Sequence, residues 1–303
     1  FEYQGYDFEK QLEINFSRKN ICFNSRNKYD TSHIIYSSGS TGMPKGIVIS
    51  NQNLIDGAEI VSTYTKLNES DRILSILPLS FDYGLNQLIN TIYMRATICF
   101  HKFFLPNDLL SFIEKNEVTT FAGMGPIWSK IFNSNLCDIS KFKLHNVRLA
   151  TNTGSKFPKA LVKKFRKQFP HIELYLMYGL TEAFRSTFLD PKLVDKKPDS
   201  IGRAIPNTNV FIVNECGNEC GVEEVGELVH SGALIAKGYW NNPQLTKERF
   251  RPNPLLINNA HLDTVVYSGD LVKKDIDGHI YYIGRKDEMI KVNGYRISPL
   301  EIE

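Results

Sequence analysis

The sequence predicts an α/β protein in which a mostly parallel sheet with flanking helices is followed by a distorted antiparallel β region. Short apolar strands alternate with helical segments over most of the first two hundred residues, which is typical of a parallel sheet. From Asn209 onward, short strands are separated by Gly and Asn turns, which favours antiparallel pairing. At 303 residues, the chain is long enough for one large or two medium domains.

The predicted elements follow in chain order. A strand over 33–36 leads into a loop rich in Ser, Gly and Thr, and a second strand follows over 47–49. Ser50 is expected to cap a helix whose Leu54, Ala58 and Val61 share one face. Further strands are predicted over 96–100, 119–122 and 147–151, with helices over 109–115, 127–132 and 159–168. The antiparallel region is predicted to hold strands over 210–213, 226–230, 265–267 and 279–283.

The composition argues against several classes of protein. A net charge of +3 is too small to favour nucleic acid or a membrane surface as the partner. No apolar run approaches the roughly 20 residues that a membrane helix needs. The five cysteines are scattered and odd in number, so they indicate no disulfide framework. Because free thiols suit a reducing compartment, a cytoplasmic protein is expected.

A loop rich in glycine and hydroxyl side chains lies between the first two predicted strands. Glycines let backbone N–H groups close around phosphate oxygens, while hydroxyls and a lysine add donors and charge. The spacing does not match the Walker A motif, because the lysine lies between Pro44 and Gly46. The loop therefore predicts a phosphate site of another kind, formed by Ser37, Ser38, Gly39, Ser40, Thr41, Gly42 and Lys45.

This loop resembles the signature loop of the adenylate-forming superfamily, which includes acyl-CoA synthetases, firefly luciferase and the adenylation domains of nonribosomal peptide synthetases. Further motifs similar to those of the family follow in the family's order, over 78–82, 152–155, 177–182, 226–228, 236–240, 267–271 and 284–294. The resemblance is nearest to freestanding ligases that activate acyl or aminoacyl groups. It implies a large AMP-binding domain over 1–284 and the hinge and start of a small domain over 285–303, with both ends of the fold missing.

The resemblance implies that ATP, and then AMP, lies between the loop 37–45, the strand end 153–155 and the motif 178–182. Thr181 offers a hydroxyl to a phosphate and Glu182 a hard oxygen ligand to Mg²⁺, and with Lys45 they are the expected catalytic residues. The alternative for Thr181 and Glu182 is a helix cap. Asp270 and Arg285 are expected to hold the ribose, with an Asx turn and a surface ion pair as their alternatives. The remaining nucleotide contacts are assigned to Thr153, Gly154, Ser155, Met177, Tyr178 and Gly179.

The resemblance also implies an acyl pocket. Asp82 stands where members that activate amino acids keep an aspartate for the substrate ammonium. Arg185 lies nearby in the motif and could neutralise Asp82 instead, which would leave the pocket to a plain acyl group. The residues of the sequence leave both substrates open, a small acyl or an amino acid. The pocket is assigned to Phe81, Asp82, Tyr83, Asn86, Met177, Phe184, Arg185 and Ser186.

The reaction implied is displacement at the α-phosphate by a carboxylate, release of pyrophosphate, and transfer of the acyl group to the thiol of CoA or of carrier-protein phosphopantetheine. A carboxylate is already ionised at neutral pH, so positioning and charge stabilisation dominate and no histidine is needed as a base. Asp287 is similar to the family's hinge residue, and Lys291, Gly294 and Tyr295 to the loop that lines its thiol channel. The family's C-terminal lysine lies beyond Glu303. The alternative is a non-catalytic nucleotide-binding or scaffold derivative of the fold.

Overall fold

The computed structural model describes residues 27–37, 44–135, 137–256 and 263–286, together with the backbone of two short strands after them. Within these residues the strands are β1 (Thr31–Ser37), β2 (Lys45–Ser50), β3 (Arg72–Ser75), β4 (Thr97–Phe100), β5 (Thr120–Gly123), β6 (Leu149–Asn152), β7 (Glu173–Leu180), β8 (Ala183–Leu189), β9 (Ser200–Ala204), β10 (Thr208–Val213), β11 (Gly226–Gly232), β12 (Phe250–Pro252), β13 (Thr264–Lys274), β14 (Ile280–Arg285), β15 (Ile290–Val292) and β16 (Tyr295–Ile297). The helices are α1 (Asn51–Thr65), α2 (Asp82–Met94), α3 (Pro106–Lys115), α4 (Gly125–Asn133), α5 (Lys159–Gln168) and α6 (Pro243–Arg249).

One large sheet organises most of the described chain. Its order is β10-β11-β13-β14-β9-β8-β7-β6-β5-β3-β4, with β12 paired to β13. The five strands β4, β3, β5, β6 and β7 run parallel, and all pairs from β8 onward are antiparallel. The predicted combination of a parallel part and an antiparallel part is therefore confirmed.

The antiparallel part begins earlier than the change of texture at Asn209 suggested. Only Thr181 and Glu182 connect β7 to β8, and so short a connection can return the chain only as an antiparallel hairpin. The strands β1 and β2 likewise form a separate antiparallel pair rather than joining the parallel sheet. Parallel neighbours need a crossover of a dozen or more residues, and the connection between β1 and β2 is shorter than that.

The predicted start of α1 is confirmed. The Ser50 hydroxyl accepts a hydrogen bond from the backbone N–H of Asn53 at 3.1 Å, and the Asn53 side chain accepts one from the backbone N–H of Ser50 at 3.1 Å. This reciprocal pair is a capping box, which satisfies two N–H groups that the first turn would otherwise leave unpaired. Ala58 and Val61 are buried on the predicted face, and Leu54 is partly buried.

The main hydrophobic core lies between the parallel strands and α3, α4 and α5. Trp128 and Phe165 are fully buried there, with their rings edge to face at 5.4 Å. All four residues of both β5 and β6 are buried, as expected for parallel strands that are covered on both faces. No helix in the described ranges combines the length and the apolar character that crossing a bilayer would require.

Candidate functional site

A cavity of about 980 Å³ opens where the five parallel strands end. Its wall includes much of β1, residues that follow β3, β4, β5 and β6, and the turn that follows β7. Open α/β sheets bind their ligands at this edge, because several loops converge there above the ends of the strands. Many residues predicted to form the site line this cavity: Ser37, Phe81, Asp82, Thr153, Gly154, Gly179, Thr181, Glu182 and Arg185.

Some predicted nucleotide-binding residues lie next to the cavity rather than in its wall. Lys45 begins β2, directly opposite Ser37 in the β1–β2 ladder. The hydroxyl of Ser155 accepts a hydrogen bond from the backbone N–H of Gly125 at 2.9 Å, which ties the loop after β6 to the start of α4. Ser38, Gly39, Ser40, Thr41 and Gly42 lie outside the described residues, as do the predicted hinge residue Asp287 and the thiol-channel residue Gly294; the side chains of Lys291 and Tyr295 are likewise not described.

The predicted ribose residues form a network of their own. Asp270 is buried and accepts hydrogen bonds from the phenol of Tyr178 and from Nη1 of Arg285, the latter at 2.7 Å. The imidazole of His230 stacks on the Tyr178 ring with the centroids 6.0 Å apart. Burial disfavours the imidazolium and lowers the pKa of His230 to about 4, so this ring is neutral at physiological pH. The network links Tyr178 at the end of β7 to β13 and β14.

The predicted acyl-pocket residues do not all line one cavity. Phe81 and Asp82 line the large cavity, whereas Tyr83, Asn86 and Met177 line a second space of about 20 Å³ behind it. Arg185 borders both spaces. Phe184 instead packs over Gly57 of α1 and joins a separate apolar cluster, and the buried Ser186 hydroxyl donates a hydrogen bond to the backbone carbonyl of Ala183 at 3.0 Å.

Asp82 lies in the first turn of α2, where the positive end of the helix favours a carboxylate. The helix approaches the preceding loop so closely that a Cβ at Gly84 would meet the carbonyl oxygen of Leu77 at 2.7 Å. Asp82 accepts a hydrogen bond from the Thr181 hydroxyl at 3.1 Å. Loss of hydration raises the pKa of Asp82, and the charge of Arg185 and the bond from Thr181 offset only part of this effect.

Glu182 is held by a residue to which sequence analysis had assigned no role. The phenol of Tyr239 donates a hydrogen bond to Oε1 of Glu182 at 2.7 Å, and both residues are buried. This is the only hydrogen bond to that carboxylate from the part of the chain that the structure describes, so its second oxygen keeps its lone pairs for another ligand. Tyr239 belongs to the motif 236–240, but nothing local in that motif indicates that its phenol reaches Glu182.

The fold and the site together define an α/β protein with a mostly apolar cavity at the carboxyl edge of its parallel strands, into which Asp82, Glu182 and the hydroxyls of Thr153 and Thr181 are placed. The family model for the AMP-binding enzyme matches residues 5–240. The chain therefore belongs to the AMP-binding enzyme family, and the resemblance to adenylate-forming enzymes is confirmed.

The relatives include two peptide synthases. The chain is 35% identical over 279 residues to gramicidin S synthase 2 of Aneurinibacillus migulanus, covering 90% of this chain and 6% of that protein. It is 32% identical over 300 residues to tyrocidine synthase 3 of Brevibacillus parabrevis, covering 98% of this chain and 4% of that protein. The chain thus spans only a small part of the curated relatives that it matches.

The fold is also found in solved structures of o-succinylbenzoate CoA synthetase from Bacillus subtilis. The complex with a product analogue has a TM-score of 0.79 at 25% identity and covers 91% of this chain and 54% of that one. The complex with ATP and a magnesium ion has a TM-score of 0.75 at 25% identity and covers 91% of this chain and 55% of that one. The present chain spans about half the length of these synthetases.

Proposed function

We propose that this protein activates a carboxylic acid by joining it to the AMP portion of ATP, with release of pyrophosphate, and then passes the acyl group to a thiol. The observation that carries the proposal is the convergence of Thr153, Thr181 and Glu182 on one cavity at the ends of the parallel strands. Membership of the AMP-binding enzyme family and the solved relative with ATP and magnesium support the same reaction.

The chain's own residues would act mainly by positioning. The Thr181 hydroxyl and the loop that contains Ser37 and Lys45 would hold the phosphates, and Asp270 with Arg285 would hold the ribose hydroxyls. Since the attacking carboxylate is already ionised, no side chain has to remove a proton. The gain in rate would come from aligning the carboxylate with the α-phosphate and from stabilising the charge that develops there.

Glu182 fits the role of a magnesium ligand. Mg²⁺ prefers one or two carboxylate oxygens together with the oxygens of the bound phosphates. The Glu182 carboxylate borders the cavity, is fixed at one oxygen by Tyr239, and has its other oxygen available within the described structure. A bound Mg²⁺ would neutralise charge on the pyrophosphate that leaves.

We further propose that the acid is an α-amino acid. Asp82 forms no ion pair with a lysine or arginine among the residues described, although the charge of Arg185 is near enough to influence it. A carboxylate that has lost much of its hydration gains most from a cation in direct contact, and the ammonium group of a substrate would supply one. The peptide synthases among the relatives support this choice.

The proposal also includes the thiol that accepts the acyl group and the cellular location of the protein. The thiol would belong to CoA or to carrier-protein phosphopantetheine, as expected from the two kinds of relative, a CoA synthetase and peptide synthases. A cytoplasmic location is inferred from the use of ATP and from the four described cysteines, all of which are free. The division into a large domain over 1–284 and a hinged small domain from 285 is retained as a prediction.

The test is ATP–pyrophosphate exchange by the full-length protein across a panel of amino acids and plain carboxylic acids. Exchange that depends on one class of acid is expected, with amino acids preferred over their des-amino analogues. Nucleotide binding without exchange for any acid would overturn the proposed reaction and favour a non-catalytic member of the fold. Exchange with the des-amino acids alone would retain adenylation and exclude the role proposed for Asp82.

A further inference from the structure

Arg185 is buried, and the described residues give it few of the partners that a guanidinium group requires. Only 4% of its surface is exposed. Its Nη2 donates to Oδ1 of Asn86 at 3.5 Å, which is at the limit of a hydrogen bond, and its Nε has no acceptor within the described part of the chain. No carboxylate of the described residues forms an ion pair with it. Since arginine stays charged and carries five N–H donors, a buried arginine in this state is suited to an acceptor that arrives with a ligand.

Aromatic rings hold the guanidinium by its faces. The Cζ atom of Arg185 lies 4.3 Å from the ring centroid of Tyr83 and 4.9 Å from that of Phe184. Such cation–π contacts attract the charge without using its N–H groups, which point outward in the guanidinium plane. The group is therefore fixed in position while much of its hydrogen-bonding edge remains unused.

The backbone also places Arg185 in a special conformation. Its φ angle is 52°, in the left-handed region that residues with a Cβ adopt only at a cost. The β7–β8 ladder shifts register between Tyr178 and Leu180, and a Cβ at Gly179 would lie 2.7 Å from the backbone nitrogen of Arg185. This bulge directs Arg185 to the boundary between the two spaces. Strained backbone of this kind clusters at ligand sites.

We propose that Arg185 binds a second carboxylate on the substrate, so that the acid activated is an amino dicarboxylate with an acidic side chain. This rests on the proposed function, in which Asp82 binds the substrate ammonium. The charges of Asp82 and Arg185 cancel in the free protein, and the substrate's ammonium and side-chain carboxylate would cancel in the same way. Each buried charge would then gain a direct partner, which is the condition under which buried charges are favourable.

The competing arrangement is that Arg185 serves only to neutralise Asp82. The contacts favour the first arrangement, because Asp82 bonds to Thr181 and Arg185 to Asn86, and no ion pair joins the two. The two arrangements predict opposite selectivities. If Arg185 is paired with Asp82, the pocket should accept amino acids with neutral side chains. If Arg185 has no such partner, the pocket should reject them.

The first experiment compares acids with their amides in pyrophosphate exchange by the full-length protein. Aspartate and glutamate are tested against asparagine and glutamine, with alanine and leucine as neutral references. We expect kcat/KM for one acidic substrate to exceed that for its amide by about a hundredfold, because the amide leaves a buried charge unpaired. Preference for a neutral amino acid would overturn the role of Arg185 while leaving adenylation intact. Absence of exchange with every acid would instead count against the proposed function.

The second experiment alters Arg185 and a matched control. Arg185→Met keeps much of the side-chain length and removes the charge. It should lower kcat/KM for the acidic substrate about a hundredfold and raise kcat/KM for the neutral references, because a neutral side chain then leaves no buried arginine charge unpaired. Arg185→Lys should recover part of this loss. Arg166→Met is the control, because Arg166 forms its ion pair with Asp195 on the outside of α5. An Arg185→Met protein that retains the parental preference contradicts the proposal. If this variant does not fold, the acid-to-amide ratio of the parent protein still decides.

Discussion

The phenol of Tyr239 holds Oε1 of Glu182 at 2.7 Å, and its removal tests how this carboxylate is positioned. Tyr239→Phe deletes one oxygen and keeps the ring, which packs edge to face on Phe250 with the centroids 5.7 Å apart. The fold should therefore remain, and the Glu182 carboxylate should lose the only hydrogen bond that the described residues give it. We expect slower adenylation and weaker binding of magnesium.

The size of the effect follows from burial. Tyr239 is 8% exposed and Glu182 5%, so water cannot easily replace the lost donor. A hydrogen bond to a charged group contributes about 1.5–3 kcal/mol. Since each 1.36 kcal/mol is a factor of ten in rate, the expected loss in kcat/KM is roughly tenfold to a hundredfold if the bond matters fully in the transition state.

The assay is pyrophosphate exchange by the full-length protein with magnesium varied at fixed ATP. High magnesium should recover part of the lost rate in Tyr239→Phe, because the variant weakens a ligand of the metal without removing it. Tyr281→Phe is the matched control, since the Tyr281 phenol also donates to a carboxylate, that of Asp275 at 3.0 Å, and Tyr281 is not among the residues that line the cavity. Parental exchange by Tyr239→Phe at limiting magnesium would refute the reasoning.

Three further predictions concern the site and the stability of the fold. Glu182→Gln should reduce pyrophosphate exchange by about a hundredfold or more with unchanged circular dichroism, because a neutral amide lacks the negative charge with which the carboxylate would bind Mg²⁺. An exchange rate equal to the parent's would exclude Glu182 as the metal ligand. Arg148→Met should lower the free energy of unfolding by about 1–3 kcal/mol, because it removes two hydrogen bonds, at 2.9 and 2.6 Å, from the buried Asp71. The partial exposure of Arg148 keeps the loss below that of a fully buried pair. An unchanged midpoint of urea unfolding would contradict this prediction. The folded state favours the ionised forms of Asp71 and Asp275, and hydrogen bonds from Lys197, the backbone of His279 and Tyr281 lower the pKa of Asp275 from 3.8 to about 2. The stability that these carboxylates add is therefore present above pH 3.8 and should be lost as the pH falls toward 2. Urea midpoints that do not fall over this range would contradict the assignment.

Local signals explain which elements were predictable. The strand at β6, the helix α5 and the capping box at Ser50 each depend on side chains a few residues apart, so apolar periodicity and cap chemistry located them. The helix α2 was not predicted, because it contains Gly84 and several Asn and Thr residues that form helices poorly. Its polar residues are buried in the folded protein, and Asn86 and Asn90 satisfy each other one turn apart within the helix, with the Asn86 amide donating to Oδ1 of Asn90 at 3.1 Å.

By itself, the sequence determined the family, the division into parallel and antiparallel parts, and several of the residues that line the cavity, because motifs and periodic patterns record chemistry that is local in the chain. Only the tertiary structure decided which of these residues meet. Tyr239 reaches Glu182 across 57 positions and Tyr178 reaches Asp270 across 92. The bulge opposite Gly179 decided that Arg185 faces the cavity without an ion-pair partner among the described residues. Such contacts depend on strand register and helix packing, which sum over many distant residues, and no short stretch of sequence records them.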